Sequence, residues 1–147
     1  MKIIYAKQAL PTRQGLGIFL AGPTPRNENT PSWRPNAVEL LKSHNFNGNV
    51  FIPEDEGGGF SGTYTDQIEW EWAALDHATT ILFWVPRELE NMPAFTTNVE
   101  FGLHCKGGRV VLGYPEGAPK MKYLHALAER ENISVFHTLE ETISHAI

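Results

Sequence analysis

Apolar and polar residues fall in alternating blocks along this chain, and the blocks predict strands and helices in turn. Residues 16–21, LGIFLA, are apolar and stop at Gly22-Pro23, the pattern of a buried strand running into a loop. Ala37, Val38, Leu40 and Leu41 give an inner face to a helix from about Asn36 to His44. Residues 49–52, NVFI, stop at Pro53 and predict a second strand, and the glycines Gly57, Gly58, Gly59 and Gly62 then predict a mobile loop. Ile68, Trp72 and Leu75 stand at i, i+4 and i+7, which predicts a helix over about Asp66 to His77 with those three side chains inward. Residues 79–85, TTILFWV, are β-branched and aromatic and end at Pro86, as a central strand buried on both faces would. A helix from about Thr97 to Lys106 stops at Gly107-Gly108, and residues 109–113 predict another strand. A helix over about Lys120 to Glu131, a short strand near 133–136 and a last helix after Thr138 complete the series.

Five alternations of strand and helix predict an α/β fold, a Rossmann-like or flavodoxin-like three-layer sandwich on a five-stranded, mostly parallel sheet. The N-terminal IIYA is a candidate for an added edge strand. No repeat, low-complexity tract or long linker divides the chain, so residues 1–147 are expected to form one domain. Ligands of such sheets bind beyond the carboxyl ends of the strands. The search for chemistry therefore starts at the loops after residues 21, 52, 85 and 113.

Composition narrows the function classes. The chain has 147 residues and is 41% hydrophobic, enough for a packed core and too apolar for disorder. Twelve basic against seventeen acidic residues leave a net charge of -5, which argues against long nucleic acids and anionic membranes as partners. A single nucleoside or nucleotide needs only a local pocket and stays open. One cysteine, Cys105, excludes an internal disulfide framework. With no long apolar stretch and no leader pattern in MKIIYAKQALPTRQ, the expected location is the cytoplasm.

Three places carry candidate chemistry. In the loop Ala21 to Arg26, Gly22 permits close backbone approach and Arg26 is a possible partner for phosphate or carboxylate; neither a GxGxxG nor a Walker pattern is present. Glu71 lies about 65° from the centre of the Ile68, Trp72, Leu75 face, nearer than the other acids of its helix. Glu69 has its own explanation in an Asp66-x-x-Glu69 capping box. Glu71 is either a boundary residue reaching back to water or, desolvated by the flanking tryptophans, a carboxyl suited to proton donation. Glu100 falls in the first turn of its predicted helix, where the dipole favours the ionised carboxylate a nucleophile requires. Thr97-x-x-Glu100 is equally a capping box, and the two roles predict different geometry: a cap folds back on its own backbone, whereas a nucleophile points into the crevice. The six histidines show no metal-ligand spacing, Cys105 has the setting of a packed thiol, and no Gly-x-Ser-x-Gly elbow occurs.

The segments IFLAGPTPR, SWR, FIPE, QIEWEWAALDHATTILFWVPR, TTNVEFG and GRVVLGYP, in this order and spacing, resemble the nucleoside 2-deoxyribosyltransferase-like family from about residue 17 to the end of the chain. The resemblance implies cleavage of an N-glycosidic bond with Glu100 as nucleophile and no metal or organic cofactor. Glu71 stands where the family usually carries an aspartate, one methylene shorter, and Phe19 stands where well-studied members carry a tyrosine whose hydroxyl bonds the nucleophile. The expected reaction is attack of Glu100 on C1′ of a 2-deoxyribosyl group, then transfer to a second base, or to water. Glu71 would protonate or orient the base, or hold the sugar hydroxyls. Trp33, Trp70 or Phe60 would stack on the base, and Gly22, Thr24 and Asn98 complete the expected substrate contacts. Arg26 and Arg34 are candidates for a 5′-phosphate, which would make the chain a deoxynucleoside monophosphate N-glycosidase instead. A non-catalytic nucleotide sensor is the reading from another class. The expected partners are a deoxynucleoside or deoxynucleotide, a free base and a second copy of the chain, since family members borrow residues from a neighbouring subunit. Pro93-Ala94-Phe95 and Tyr114-Pro115 are the candidate contact segments.

Overall fold

Six parallel strands form one sheet in the order β1-β3-β2-β4-β5-β6 in the computed structural model, which describes residues 1–27, 29–58 and 63–147. The strands are β1 (Lys2–Tyr5), β2 (Gly17–Ala21), β3 (Asn49–Ile52), β4 (Thr80–Trp84), β5 (Val110–Gly113) and β6 (Val135–Phe136). Five helices are woven between and after them: α1 (Arg34–Ser43), α2 (Tyr64–His77), α3 (Phe95–His104), α4 (Lys122–Arg130) and α5 (Leu139–Ala146). From β2 onward the order is flavodoxin-like. The N-terminal segment is a full strand paired in parallel with β3, so the sheet has one strand more than the five expected.

The central strands owe their composition to being covered twice. Every residue of β2 is buried, and successive side chains go to opposite faces. Phe19 and Ala21 pack with Trp70 and Ala74 of α2, Phe101 of α3 and Leu124 and Ala128 of α4. Ile18 and Leu20 pack with Ala37 and Leu41 of α1 and Ile143 and Ala146 of α5. β4 repeats the alternation, with Phe83 meeting Phe101 edge-to-face at a centroid distance of 5.2 Å while Trp84 faces the α1–α5 layer. The result is three layers, helix on sheet on helix.

Helix starts depart from the expected ones for a local reason each. α2 begins at Tyr64 because Thr63 caps it, its hydroxyl accepting from the Asp66 amide; the Asp66-x-x-Glu69 box is not the cap. Ala94, in left-handed backbone at φ 60°, is the cap residue of α3, so this helix starts at Phe95 instead of Thr97. α1 starts two residues before Asn36, at Arg34, with Pro35 in its first turn. α2 is also rotated relative to the expected face. Gln67, Trp70, Ala74 and Leu75 are buried, whereas Trp72 is 64% exposed. Trp70 wins the interior because its ring packs into the core while its Nε1 donates to the Gln8 carbonyl at 2.8 Å. Among the described residues no helix is long and apolar enough to cross a membrane.

Candidate active site

Where the chain leaves β2 for α1 on one face and β3 for α2 on the other, the strand ends open into a crevice. A cleft of about 470 Å³ lies there, a volume suited to a small ligand. The β2–α1 loop from Gly22 to Arg26 forms one wall, Gln67 and Glu71 of α2 a second, and Pro93 to Glu100 at the start of α3 a third. A larger groove of about 1190 Å³ lies beyond the same loop, against β1 and α1, and includes neither Glu71 nor Glu100.

Gly22 is required where it stands. Its φ is +152°, and a Cβ there would sit 2.1 Å from the Trp84 carbonyl oxygen. Trp33 packs against this glycine and donates its Nε1 to the Pro23 carbonyl at 3.1 Å, which sets the loop's path. Arg34 finishes the job from beneath. Its guanidinium is 1% exposed and donates to the Leu20 carbonyl (3.1 Å), the Gly22 carbonyl (2.8 Å), Thr24 Oγ1 (3.0 Å) and Glu54 Oε1 (2.5 Å). Ser32 adds a second donor to Glu54 Oε1 at 3.0 Å. The buried ion pair and its satellite bonds thus hold the loop, and Arg34 is engaged within the protein at the site's floor.

Glu71 and Glu100 meet in the cleft from two different helices. Because α3 starts at Phe95, Glu100 lies in its second turn, away from the helix dipole, and its carboxylate makes no capping bond to Thr97. No hydrogen-bond or ion-pair partner contacts it among the described residues. Burial, with the Glu71 charge adding to it, pushes the Glu100 carboxyl up to about 8, against the pull of Arg34. The ionised form expected from the helix terminus is therefore not the resting form at neutral pH. Burial also raises Glu71, opposed by a 2.7 Å hydrogen bond from Gln67 Nε2 and by the charge of Arg34.

The other candidates divide plainly. Thr24 and Arg26 line the cleft, and the Arg26 guanidinium lies 5.5 Å from the centroid of the Phe95 ring. Trp33 and Trp70 are core residues with their indole N–H groups bonded to backbone carbonyls, and Phe19 is buried in the sheet at 1% exposure. None of these three lines the cleft. Asn98 turns its Oδ1 to Arg87, which also donates to the Lys120 carbonyl at 2.8 Å and so ties α3 to the loop after β5. Gly59, Phe60 and Gly62 lie outside the described residues. Sequence reasoning missed Glu54, Gln67 and Arg87. Glu54 and Arg87 follow β3 and β4 at two and three residues' distance, so the strand-end rule pointed at both loops.

Taken together, the flavodoxin-like α/β sheet has a cleft beyond the carboxyl ends of its strands, where sheets of this kind hold ligands, and Glu71 and Glu100 both line it. A family model for nucleoside 2-deoxyribosyltransferase-like proteins matches residues 15–118, more than half of the chain. The chain belongs to that family, whose members are typically enzymes. No curated protein matches it.

Proposed function

We propose that the protein transfers a 2-deoxyribosyl group between nucleobases by double displacement, with Glu100 as nucleophile. The observation that carries this reading is the pairing of Glu71 and Glu100 across one cleft, Glu100 being half-buried there with no ion-pair partner in contact among the described residues. A carboxylate beside C1′ stabilises an oxocarbenium-like transition state and captures it as a glycosyl ester. The second carboxyl, Glu71, orients the base or the sugar hydroxyls, and the pair supplies the proton the departing base takes. A 2-deoxy sugar suits the route because it lacks the electron-withdrawing 2′-hydroxyl.

The experiment is incubation with deoxynucleosides, with and without a second free base. Mass spectrometry of the protein should show a deoxyribosyl adduct that disappears in Glu100→Gln, and chromatography should show the exchanged nucleoside. Free base alone, from monophosphate substrates only, would instead mark an N-glycosidase. One feature favours that second reading: Arg26 stands at the cleft beside the start of α3, whose cap residue Ala94 offers no side-chain acceptor to the first amides. Intact ligand bound without turnover would mark a sensor.

The same reading includes a homo-oligomer. Phe95, Val99 and Leu103 form an i, i+4, i+8 stripe on α3, each at least 63% exposed, and Trp72 is exposed on the neighbouring helix α2. The stripe begins at Phe95 on the cleft wall, so a second copy seated on it would help to close the site. Of the contact segments expected from sequence, Phe95 is exposed while Pro93, Ala94 and Tyr114 are packed within their own subunit.

A further inference from the structure

We propose that Gln67 is a positioning residue that decides which of the two site carboxyls carries the proton, holding Glu71 as the charged partner and leaving the proton on Glu100. Its catalytic meaning rests on the glycosyl-transfer reading above; its geometry does not depend on a substrate.

Gln67 lies one helical turn before Glu71 on α2 and is 4% exposed. Its amide nitrogen has two hydrogens and two acceptors in reach, the Pro53 carbonyl at 3.3 Å and Glu71 Oε1 at 2.7 Å. Its Oε1 is buried and has no partner among the described residues. Turning the amide over would not cure this. It would set Oε1 against the Pro53 carbonyl, which has no hydrogen to give. The Pro53 carbonyl therefore fixes the amide face, and Glu71 always meets a donor. A donor favours carboxylate over acid. The orphaned Oε1 is a standing cost that the fold carries with the donor locked on Glu71.

Among the described residues Glu100 has no such donor. The groups facing the pair are Arg34 from α1, bound to Glu54 beyond the end of β3, Arg26 of the β2–α1 loop over Phe95, and Tyr64 at the start of α2. Of these, Arg34 acts on both carboxyls, so it cannot by itself separate them. With Glu71 charged beside it, the shielded Glu100 keeps the proton.

This arrangement balances the first chemical step. The C1′–N bond breaks and its electron pair goes to the base nitrogen, a Glu100 oxygen bonds to C1′, and the proton released from Glu100 passes to the departing base. In the second step the incoming base bonds to C1′ through nitrogen, the ester C–O bond breaks with its electrons returning to Glu100, and the base's N–H proton returns to the carboxyl pair. No proton is exchanged with solvent.

The test is carboxyl titration of the ligand-free protein carrying ¹³C-labelled glutamate side chains, followed by NMR and assigned with Glu71→Gln and Glu100→Gln. Glu71 should titrate below Glu100. Gln67→Met keeps the length of the side chain and removes the donor, so the Glu71 titration should move to higher pH. On the acid side of its optimum, kcat/KM should fall roughly tenfold in that variant. Should Gln67→Met fail to fold, Gln67→Leu, which also lacks the donor, is titrated in its place, and Glu71→Gln should lower the Glu100 titration by removing the Glu71 charge. A Glu71 titration unmoved in Gln67→Met, or a Glu100 that loses its proton first, overturns the proposal. Because the titration needs no substrate, the expected shifts in a protein that cleaves nothing would support the Gln67 assignment and remove the glycosyl-transfer reading.

Discussion

Glu54, buried, and Glu100, half-buried, both feel the charge of the same arginine, and they are held in opposite ways. Glu54 accepts from Arg34 at 2.5 Å and from Ser32 at 3.0 Å, and Arg34 is itself bonded to the loop it supports. Among the described residues Glu100 accepts no hydrogen bond, and it lines the cleft together with another acid. Arg34 contributes charge to both sites and direct bonds to one. The contrast separates a scaffold carboxyl from the one proposed for chemistry. A satisfied buried pair gives rigidity, while a carboxyl left without partners keeps the free lone pair and the movable proton that a displacement needs.

Breaking the satisfied pair should have the largest effect, and it should fall on stability. Arg34→Met removes the cation paired with Glu54, which is buried at 4% exposure, and should cost about 3–5 kcal/mol in urea unfolding. Adding Glu54→Met should recover much of that loss, since a buried pair can be replaced by apolar groups more cheaply than halved. A single variant as stable as the native chain would erase the distinction drawn between the two acids.

At the other carboxyl the effect should fall on turnover. Glu100→Gln should lower kcat by at least about a hundredfold, as for other covalent catalysts. Its stability should move the other way with pH. Glu100 is raised from 4.5 to about 8, so folding favours its neutral form; that contribution is fully present below pH 4.5 and is lost as pH rises through 8. The amide variant does not ionise. It should match the native Tm near pH 4.5 and exceed it increasingly towards pH 9. A variant that melts lower at every pH would return Glu100 to a purely structural role.

Arg26 tests whether the cleft accepts a phosphate. Arg26→Ala should raise KM for a deoxynucleoside monophosphate roughly ten- to hundredfold and leave the nucleoside unchanged. Equal changes for both substrates would remove that role. The smallest effect on the isolated fold belongs to the outward stripe. Val99→Ser and Leu103→Ser should alter unfolding free energy by about 0.5 kcal/mol or less, because both side chains stand in solvent. Light scattering at micromolar concentration should nonetheless show these variants dissociated relative to the native chain.

By itself the amino-acid sequence determined the layered α/β class, because each central strand is a continuous apolar block ended by Gly or Pro, and such blocks need helices on both faces. It also pointed to the strand ends, where the cleft lies, and singled out Glu71 and Glu100, which both line it. The inward face of α2 was not legible. Periodicity favoured Trp72, yet Trp70 is the buried ring, because its indole N–H finds the Gln8 carbonyl 62 residues away. The start of α3 was hidden for a similar reason: Ala94 is no capping type, and only its left-handed backbone marks the boundary. Arg34 looked like a phosphate ligand until Glu54, Leu20, Gly22 and Thr24 converged on it. What separates Glu71 from Glu100 is likewise tertiary, since burial and the Pro53 carbonyl behind Gln67 arise only when β3, α2 and α3 come together. Side-chain type and spacing act locally, whereas desolvation and hydrogen-bond partnership depend on residues far apart in the chain.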